Sequence, residues 1–357
     1  MKSILAKPIS NSIPLFVLLF ALCSFFLITP ACNDDDDNNP DASYRQVGLV
    51  SNVNEYGVAH VDTNLVNAWG MAVGPTGAFW ISSTEKDRTT IYDRTGVTLL
   101  SAIEVEGEPT GVVYNSTNDF VIPSTANISK FIYVGEDGNV IAWSTGPSTV
   151  EVADNSADGA VYKGVTIAKD EGSNFLYIAN FAEGEIEVLD KNFNYVTGKE
   201  FDDPNLPAGY APFNIANIDD KLYVTYALQS ADKYDDVKGA GHGYINVFNT
   251  DGTLVKRFAS AGTLNSPWGI TKAPDGFDQG SGAILVGNFG DGRINVFNKD
   301  GDYKGQLKDG DTPLTIDGLW ALVFPKDGIP SGDQNTLFFT AGPDDETHGL
   351  FGYIEQR

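Results

Sequence analysis

The chain has 357 residues, of which 42% are hydrophobic and 11% aromatic, enough to bury a large core in one all-β domain. Its 48 acidic and 23 basic residues give a formal net charge of −25, and this acidic balance argues against nucleic acid as a partner because like charges repel. Glycine is frequent, with 38 residues, and methionine is rare, with 2, which favours a turn-rich β protein over a helical one.

Residues 1–31 are predicted to be a signal peptide. Lys2 and Lys7 form a weakly basic start, and residues 13–28 form an apolar run that is short for a membrane span. The letters T-P-A-C, ending at Cys32, follow this run and resemble the lipobox of bacterial lipoproteins. That resemblance implies cleavage before Cys32 and a lipid on this residue. The alternative is an ordinary secreted protein, cleaved at the same place, that keeps a free cysteine. The other cysteine, Cys23, lies in the removed segment, so the mature chain has no internal disulfide to form.

Residues 32–43 are predicted to be a flexible, acidic tether between the lipid and the folded part. The segment contains the run Asp34–Asp37 and lacks an apolar pattern that could pack on a core. An acidic run directly after the cysteine resembles the surface-export signal of lipoproteins in Bacteroidota-type cells. The resemblance implies an extracytoplasmic lipoprotein of the outer membrane or cell surface, with the membrane as one partner.

Residues 44–357 contain six copies of one unit. Each copy begins with a short apolar strand around a fixed position, here called its anchor, and the anchors are Gly70, Gly111, Gly164, Asn214, Gly269 and Ala321. Their spacing of about 40–55 residues is what four short strands and their turns need in a β-propeller blade. Glycine at four of the anchors is predicted to let the first strands crowd together near the axis.

The strand pattern after each anchor predicts the fold class. A second apolar strand follows every anchor, and alternating third strands are visible at 186–189, 245–248 and 294–297. Such units hide their apolar faces only by stacking radially, so we predict an all-β, six-bladed β-propeller with four-stranded antiparallel blades. The sixth copy ends after three strands, and residues 45–51 are predicted to supply its fourth and close the ring.

Five segments carry the longest motifs of the repeats: 64–70, 159–164, 206–215, 264–269 and 287–294. Together they resemble an uncharacterised family of exported bacterial β-propeller proteins, over residues 45–352. More distantly, the chain is similar to NHL-repeat propellers and to the gluconolactonase-like six-bladed group. The close family implies a fold and an exported location but no established reaction.

The loops before the first strands and those between second and third strands emerge on one face of a propeller, here called the loop face. Most conspicuous polar residues fall in these loops, so this face is the predicted ligand site. Trp69, Trp268 and Trp320 lie beside equivalent anchors and could be platforms for a sugar or peptide, although indoles wedged between blades are the favoured interpretation. The other ligand-binding candidates are Asn180, Asn214, His242, Asn288 and His348.

Gluconolactonase-like enzymes hold a divalent metal in the channel with Glu, Asn and Asp side chains, so the resemblance makes a divalent cation such as Ca²⁺ a candidate cofactor. The nearest counterparts are Glu136, Asn180, Asn214, Asn288 and Asp317. No motif of that ligand set is matched, and asparagine also tolerates left-handed turns, so a structural role is favoured for each. A histidine beside a carboxylate, at His242 or His348, could act as a general base, but isolated surface histidines are commoner.

The leading functional prediction is a lipid-anchored binding or interaction module for a small molecule, glycan or protein. The alternative is a metal-dependent hydrolase or lyase of the lactonase type. The sequence has no nucleophile elbow, zincin, phosphate-loop or paired-cysteine motif, and this absence favours the binding module. Whether any reaction is catalysed stays open. The long connection 227–243 in the fourth copy is predicted to cover the channel mouth and contact the ligand.

Overall fold

The computed structural model describes residues 42–277, 282–325, 330 and 333–357. The predicted signal peptide, Cys32 and most of the predicted tether lie outside these residues. Three short 3-10 helices occur in the described part, at Asn54–Tyr56, Thr84–Lys86 and Ser156–Asp158. No helix there is long and apolar enough to cross a membrane.

Nearly all the regular structure is β-strand. In chain order the strands are β1 (Tyr44–Ser51), β2 (His60–Val61), β3 (Ala68–Val73), β4 (Phe79–Ser83), β5 (Arg88–Tyr92), β6 (Thr98–Glu104), β7 (Pro109–Tyr114), β8 (Phe131–Gly135), β9 (Asn139–Trp143), β10 (Val150–Asp154), β11 (Tyr162–Asp170), β12 (Ser173–Asn180), β13 (Glu185–Leu189), β14 (Tyr210–Ile218), β15 (Lys221–Leu228), β16 (Gly243–Phe248), β17 (Leu254–Ser260), β18 (Pro267–Lys272), β19 (Ile284–Asn288), β20 (Ile294–Phe297), β21 (Tyr303–Gln306), β22 (Lys308–Asp309), β23 (Thr312–Pro313), β24 (Leu319–Val323), β25 (Leu337–Ala341) and β26 (Leu350–Gln356).

These strands form the blades of a six-bladed β-propeller, which confirms the predicted fold class. Blades 1, 2, 4 and 5 are the four-stranded sheets β3–β6, β7–β10, β14–β17 and β18–β21. Blade 3 has three described strands, β11–β13. In place of a fourth strand, the segment between β13 and β14 forms one isolated bridge to β13, between Leu189 and Tyr195. Blade 6 combines β24–β26 with β1 and β2, and β22 and β23 form a separate hairpin.

Blade 6 closes the ring in the predicted way. β1 pairs antiparallel with β26 along its length, and the short β2 adds to β1 in parallel. Two residues assigned to the tether by sequence also contact the ring. Ala42 is buried in the core between blades 5 and 6, and the carbonyl of Ser43 accepts a hydrogen bond of 2.7 Å from the Arg357 N–H. The folded part therefore includes residues 42 and 43.

Apolar side chains fill the spaces between neighbouring blades. Between blades 1 and 2, for example, Trp80 stacks on Phe131 with ring centroids 4.0 Å apart. Buried clusters of this kind lie at all six interfaces within the described residues. The middle strands are apolar on both faces because both faces meet another blade. At about 1.5–3 kcal/mol for each large apolar side chain, this burial provides most of the favourable free energy of folding.

Every inner strand has a register shift at its anchor, the signature of a β-bulge. A bulge re-aims a side chain, and five residues directly before anchors meet at the axis: Trp69, Lys163, Phe213, Trp268 and Trp320. The crowding predicted for the anchor glycines is confirmed. A Cβ atom on Gly70 would lie 2.3 Å from the carbonyl oxygen of Thr110, and one on Gly269 would lie 2.5 Å from that of Trp320.

Candidate functional site

An aromatic cluster fills the axis on the loop face. The rings of Trp69 and Phe289 stack on opposite sides of Trp320, with centroid distances of 3.7 and 3.8 Å. Trp268 meets both tryptophans edge-on, and Phe213 lies 5.9 Å from Trp320. All five rings are at most 5% exposed. The three candidate tryptophans are therefore brought together as a buried floor rather than an open platform.

The indole N–H groups of this floor are unequally satisfied. Trp320 donates to the side-chain oxygen of Asn67 at 2.9 Å, and Trp268 donates to the carbonyl of Lys163 at 3.2 Å. The Trp69 Nε1 is buried and has no hydrogen-bond partner among the described residues. A buried N–H group without a partner destabilises the fold. A hydrogen-bond acceptor placed beside the Trp69 N–H would therefore stabilise the protein.

A buried ion pair interrupts the aromatic floor. Lys163 is 1% exposed, and its ammonium group pairs with the carboxylate of Glu136, which directly follows β8. The Lys163 Nζ also lies 5.2 Å from the ring centroid of Trp69, 5.8 Å from Phe181 and 5.1 Å from Tyr234. Burial raises the pKa of Glu136, and the neighbouring ammonium opposes that rise. Because both charged groups are buried, the loss of either one would strongly destabilise the folded protein.

The long connection of blade 4, residues 229–242 and here called the lid, lies across this pair. Its first half continues β15 as a hairpin, with a bridge between Gln229 and Asp236. Tyr234 in the hairpin donates a hydrogen bond of 2.7 Å to the carboxylate of Glu108, at the start of blade 2. The Gln229 side chain donates to the carbonyl of Phe181 in blade 3. The lid thus contacts blades 2 and 3 as well as its own blade, as the sequence predicts for a cover over the mouth.

The lid carries two charged groups to the floor. The ammonium of Lys238 lies 4.1 Å from the ring centroid of Phe289. Burial raises the pKa of Asp236, and Ser266, Lys163 and Lys238 oppose that rise. Within the described residues, the fully buried hydroxyl of Ser266 faces the Asp236 carboxyl group, but the two do not form a hydrogen bond of standard geometry. The underside of the lid is therefore polar, mostly buried and incompletely paired.

A strained turn in blade 6 supplies a further carboxyl group. Asp344, Asp345 and Glu346 all have left-handed backbones, with φ of 56°, 49° and 66°. Such a run costs roughly 1–2 kcal/mol for each residue, so the surrounding contacts must hold it in place. Glu346 accepts a hydrogen bond of 2.7 Å from the Asn67 amide. Burial is the main cause that raises the pKa of Glu346 to about 7, and Glu136 adds to it.

The polar candidates from the sequence lie around this cluster in separate networks. Asn180 donates to Glu187 at 2.6 Å, and Asn288 donates to the carbonyl of Thr263 at 2.8 Å. Asn214 donates to the carbonyl of Trp268 at 2.8 Å. These three amides tie strands and loops to one another.

The two histidine candidates also make local contacts. The Nδ1 atom of His242 lies 2.7 Å from the carbonyl oxygen of Val237, within the lid. The Nδ1 atom of His348 lies 3.1 Å from the amide nitrogen of Asn52. The nearest carboxylate described for His348 is that of Asp344, whose oxygen is 3.8 Å from its Nε2 atom.

The five candidate metal ligands do not fit one divalent cation. The carboxylate of Glu136 already faces the ammonium of Lys163, which occupies the place of a cation. Asp317 is exposed and accepts a hydrogen bond from the Asp344 N–H, and the three asparagines have the partners given above. Among the described residues, one group of acidic side chains is close enough to share an ion: Glu183, Glu185 and Glu187. Glu187 there already accepts hydrogen bonds from Asn155, Tyr162 and Asn180.

A second opening lies on the opposite face of the ring. It is an apolar channel of about 460 Å³ whose wall comes from all six inner strands. Its lining includes Trp268, Asn214, Phe324 and Tyr114. The sequence placed Asn214 among the loop-face candidates, but in the structure its residue lines this opposite channel.

Sequence reasoning missed Lys163, Asp236, Lys238 and Glu346. One of them left a signal. In the aligned repeats, the residue directly before the anchor is aromatic in four copies, threonine in the second copy and lysine, Lys163, in the third. A lone lysine at an otherwise largely aromatic position indicates either an exposed strand or a buried ion pair. The other three depend on loop conformations that no repeat pattern encodes.

Comparison with known proteins identifies relatives without an assigned activity. No family model matches the chain. The uncharacterized protein R648 of Acanthamoeba polyphaga mimivirus is 36% identical over 347 residues, covering 92% of this chain and 84% of the relative. The uncharacterized protein L690 of the same virus is 35% identical over 353 residues, covering 92% and 91%. Since these relatives are viral, they do not support the bacterial origin that the sequence resemblance implies.

Solved structures with the same architecture include enzymes of the lactonase and lyase type. A streptogramin B lyase matches with a TM-score of 0.53, 12% identity and coverage of 88% of this chain and 98% of the lyase. A gluconolactonase from Xanthomonas campestris matches with a TM-score of 0.51 and 14% identity, and the match covers 82% of this chain and 88% of the gluconolactonase. A protein of unknown function from Bacteroides thetaiotaomicron matches with a TM-score of 0.56 and 10% identity, and the match covers 88% of this chain and 76% of that protein. At these identities the likeness shows the fold alone.

The sequence identity over nearly the whole length, together with the ring of six blades, shows that the chain is a six-bladed β-propeller and belongs to the family of the uncharacterized mimivirus proteins R648 and L690.

Proposed function

We propose that the protein is a binding module whose ligand binds on the loop face, beneath the lid, and that a lipid on Cys32 holds it at an extracytoplasmic membrane surface. The ligand is a small molecule, a glycan or a protein segment. The anchor rests on the sequence pattern around Cys32. The binding site rests on the geometry of the lid and of the charged cluster beneath it.

One observation carries the binding site: a polar loop is folded across a buried charged cluster instead of projecting into water. The contacts at its edges are polar, namely Tyr234 to Glu108, Gln229 to Phe181, and the Gly239 N–H to the Asn265 side chain. Such contacts are exchanged for water at little cost, so the lid can open without disturbing the cores between blades. Movable covers over incompletely paired polar groups are typical of ligand sites.

The metal-dependent hydrolase or lyase that the resemblance implies has less support from the geometry. Its candidate ligands occupy separate networks, and Glu136 is committed to Lys163. Since the neighbouring enzymes share only the fold, their reactions do not transfer to this site.

A lid-shortened variant tests the proposed site. Ala227 pairs with Gly243, so an Asn-Gly dipeptide in place of residues 229–241 would close a two-residue hairpin turn. The parent is screened by thermal shift against amines, sugars, carboxylic acids and short peptides, and each hit is measured by calorimetry. We expect the variant to melt within a few degrees of the parent and to lose the hits by at least about tenfold in affinity.

The matched control shortens a hairpin tip on the opposite face. In blade 2 the Ile122 N–H pairs with the Asn127 carbonyl, so an Asn-Gly dipeptide can also replace residues 123–126. This control should keep every hit. Equal affinities of the lid-shortened variant and the parent for all hits would place the site elsewhere.

A further inference from the structure

The residues around the lid define the chemistry of the ligand, provided that the proposed binding site is correct. The lid itself carries the Asp236 carboxyl group, the turn of blade 6 supplies that of Glu346, and both groups are largely buried. Neither has a lysine or arginine within ion-pair distance among the described residues. Lys163 is committed to Glu136. The cluster therefore contains more acidic capacity than its fixed cation neutralises.

Lys238 is the second cation of the cluster, and it is held differently from Lys163. Its side chain is exposed, whereas Lys163 is 1% exposed. Its ammonium lies over the face of Phe289, 4.1 Å from the ring centroid, and Phe289 is itself stacked on Trp320. The negative face of an aromatic ring attracts a cation, which holds the ammonium in this place. The ammonium is also close enough to Asp236 and Glu346 to oppose the rise in the pKa of both.

The position of Lys238 in the chain makes this cation removable. It belongs to the lid, and two glycines follow it, of which Gly241 has a φ of 83° that other residues avoid. When the lid swings away, Lys238 leaves the ring of Phe289. The surface left behind has an aromatic face, the Glu346 carboxyl group, and the hydroxyl of Ser266, which in the closed state faces the Asp236 carboxyl group of the lid.

We infer that the ligand of this site carries an organic ammonium group, and that in the closed state Lys238 of the lid occupies the place of that group over Phe289. An aromatic face is the usual protein environment for alkylammonium and quaternary ammonium ligands, and the nearby Glu346 carboxyl group adds a negative charge when it is ionised. The lid is then an internal competitor, and the ligand binds only after displacing the resident lysine. An anionic ligand is disfavoured because the Glu346 carboxyl group would oppose it, while Lys163 is committed to Glu136.

Removing the Lys238 ammonium group tests the inference, because this substitution in the site should increase the affinity for the ligand rather than lower it. The probes are the cations n-butylammonium and tetramethylammonium. n-Butanol and butyrate serve as the neutral and the anionic analogue of n-butylammonium. Calorimetry on the full folded chain should show both cations binding about tenfold more tightly to Lys238→Ala than to the parent, because the resident cation no longer holds the ring. Adding Phe289→Leu to Lys238→Ala should weaken cation binding at least tenfold, and n-butanol and butyrate should bind weakly to all variants.

Lys233→Ala is the matched control, since Lys233 lies at the tip of the same lid with only a backbone hydrogen bond described for it, to Ser230. It should bind the cations as the parent does. The inference is overturned if Lys238→Ala binds the cations no more tightly than the parent, or if n-butanol gains as much as n-butylammonium. Neutral or anionic hits that depend on the lid, with no gain for cations, would overturn the ammonium assignment and leave the binding site standing. Hits that survive lid shortening would instead overturn the binding site itself.

Discussion

The Glu346 carboxyl group shows how one residue can couple the loop face to pH. Burial raises its pKa from 4.5 to about 7, so the folded protein holds the proton more tightly than the unfolded chain. Stability from this group is fully present below about pH 4.5 and is lost as the pH rises to about 7. Above that pH the folded state contains a buried carboxylate whose hydrogen bond from Asn67 compensates only in part.

Replacing this carboxyl group with an amide should remove the pH-dependent penalty. We expect Glu346→Gln to raise the free energy of unfolding on the order of 2 kcal/mol at pH 8 and to change it little at pH 4.5. Urea unfolding at the two pH values measures the difference, with Asp345→Asn in the same turn as an exposed control. The same pH dependence in Glu346→Gln and the parent would contradict the assignment.

At the scale of elements, β1 determines whether the ring is closed. Tyr44, Val50 and Ser51 in this strand are at most 1% exposed, and the strand pairs with β26 along its length. A chain that lacks residues 33–51 should lose more than about 4 kcal/mol of unfolding free energy, because it exposes these side chains and leaves a long unpaired edge. Melting curves and denaturant titrations of the truncated chain measure this loss.

The matched truncation removes only residues 33–41, which precede the described part of the chain. Their sequence has no apolar face, so this deletion should leave the melting temperature nearly unchanged. The deletion stops at residue 41 because Ala42 is buried and Ser43 is hydrogen-bonded to the ring. If both truncations melted at the same temperature, closure by β1 would contribute nothing to stability.

The strand framework was predictable because it repeats. The six anchors, the apolar second strands and the closing strand at 45–51 all follow from patterns that occur several times, so each copy supports the others. The bulge before each anchor was not predictable, since a bulge is a register shift between two strands and the pattern of one strand does not record it. For that reason the meeting of Trp69, Lys163 and Trp320 at the axis could not be derived.

The site itself depends on features that occur once. Glu346 reaches the cluster through a turn of left-handed residues, and Asp236 and Lys238 reach it through a lid that has no counterpart in the described residues of the other blades. Singular loops carry no internal repeat to compare, and their conformations are decided by tertiary contacts such as Tyr234 with Glu108. The prediction that residues 227–243 cover the mouth succeeded because length alone makes a loop in a compact domain conspicuous.

At the scale of the whole molecule, the proposed lipid on Cys32 predicts where the ring is located. If a lipid on this residue is the anchor, Cys32→Ala should move the protein from the membrane fraction to the soluble fraction without changing its melting temperature. Fractionation with detection of the tagged protein measures the distribution, and Cys23→Ala, inside the predicted signal peptide, is the matched control. A mutant that stays with the membranes would exclude lipid attachment at Cys32.

The anchor glycines and the aromatic floor also divide the molecule into two compartments. Backbone touches backbone where Gly70 and Gly269 meet their neighbours, and the floor above them is at most 5% exposed. Within the described residues, the floor therefore separates the apolar channel on one face from the loop face on the other, and the ring is a septum rather than a pore. Trp268 is a shared wall, since its residue lines the channel and its ring packs in the floor. A displacement of the Trp268 indole would therefore change the walls of both compartments at once.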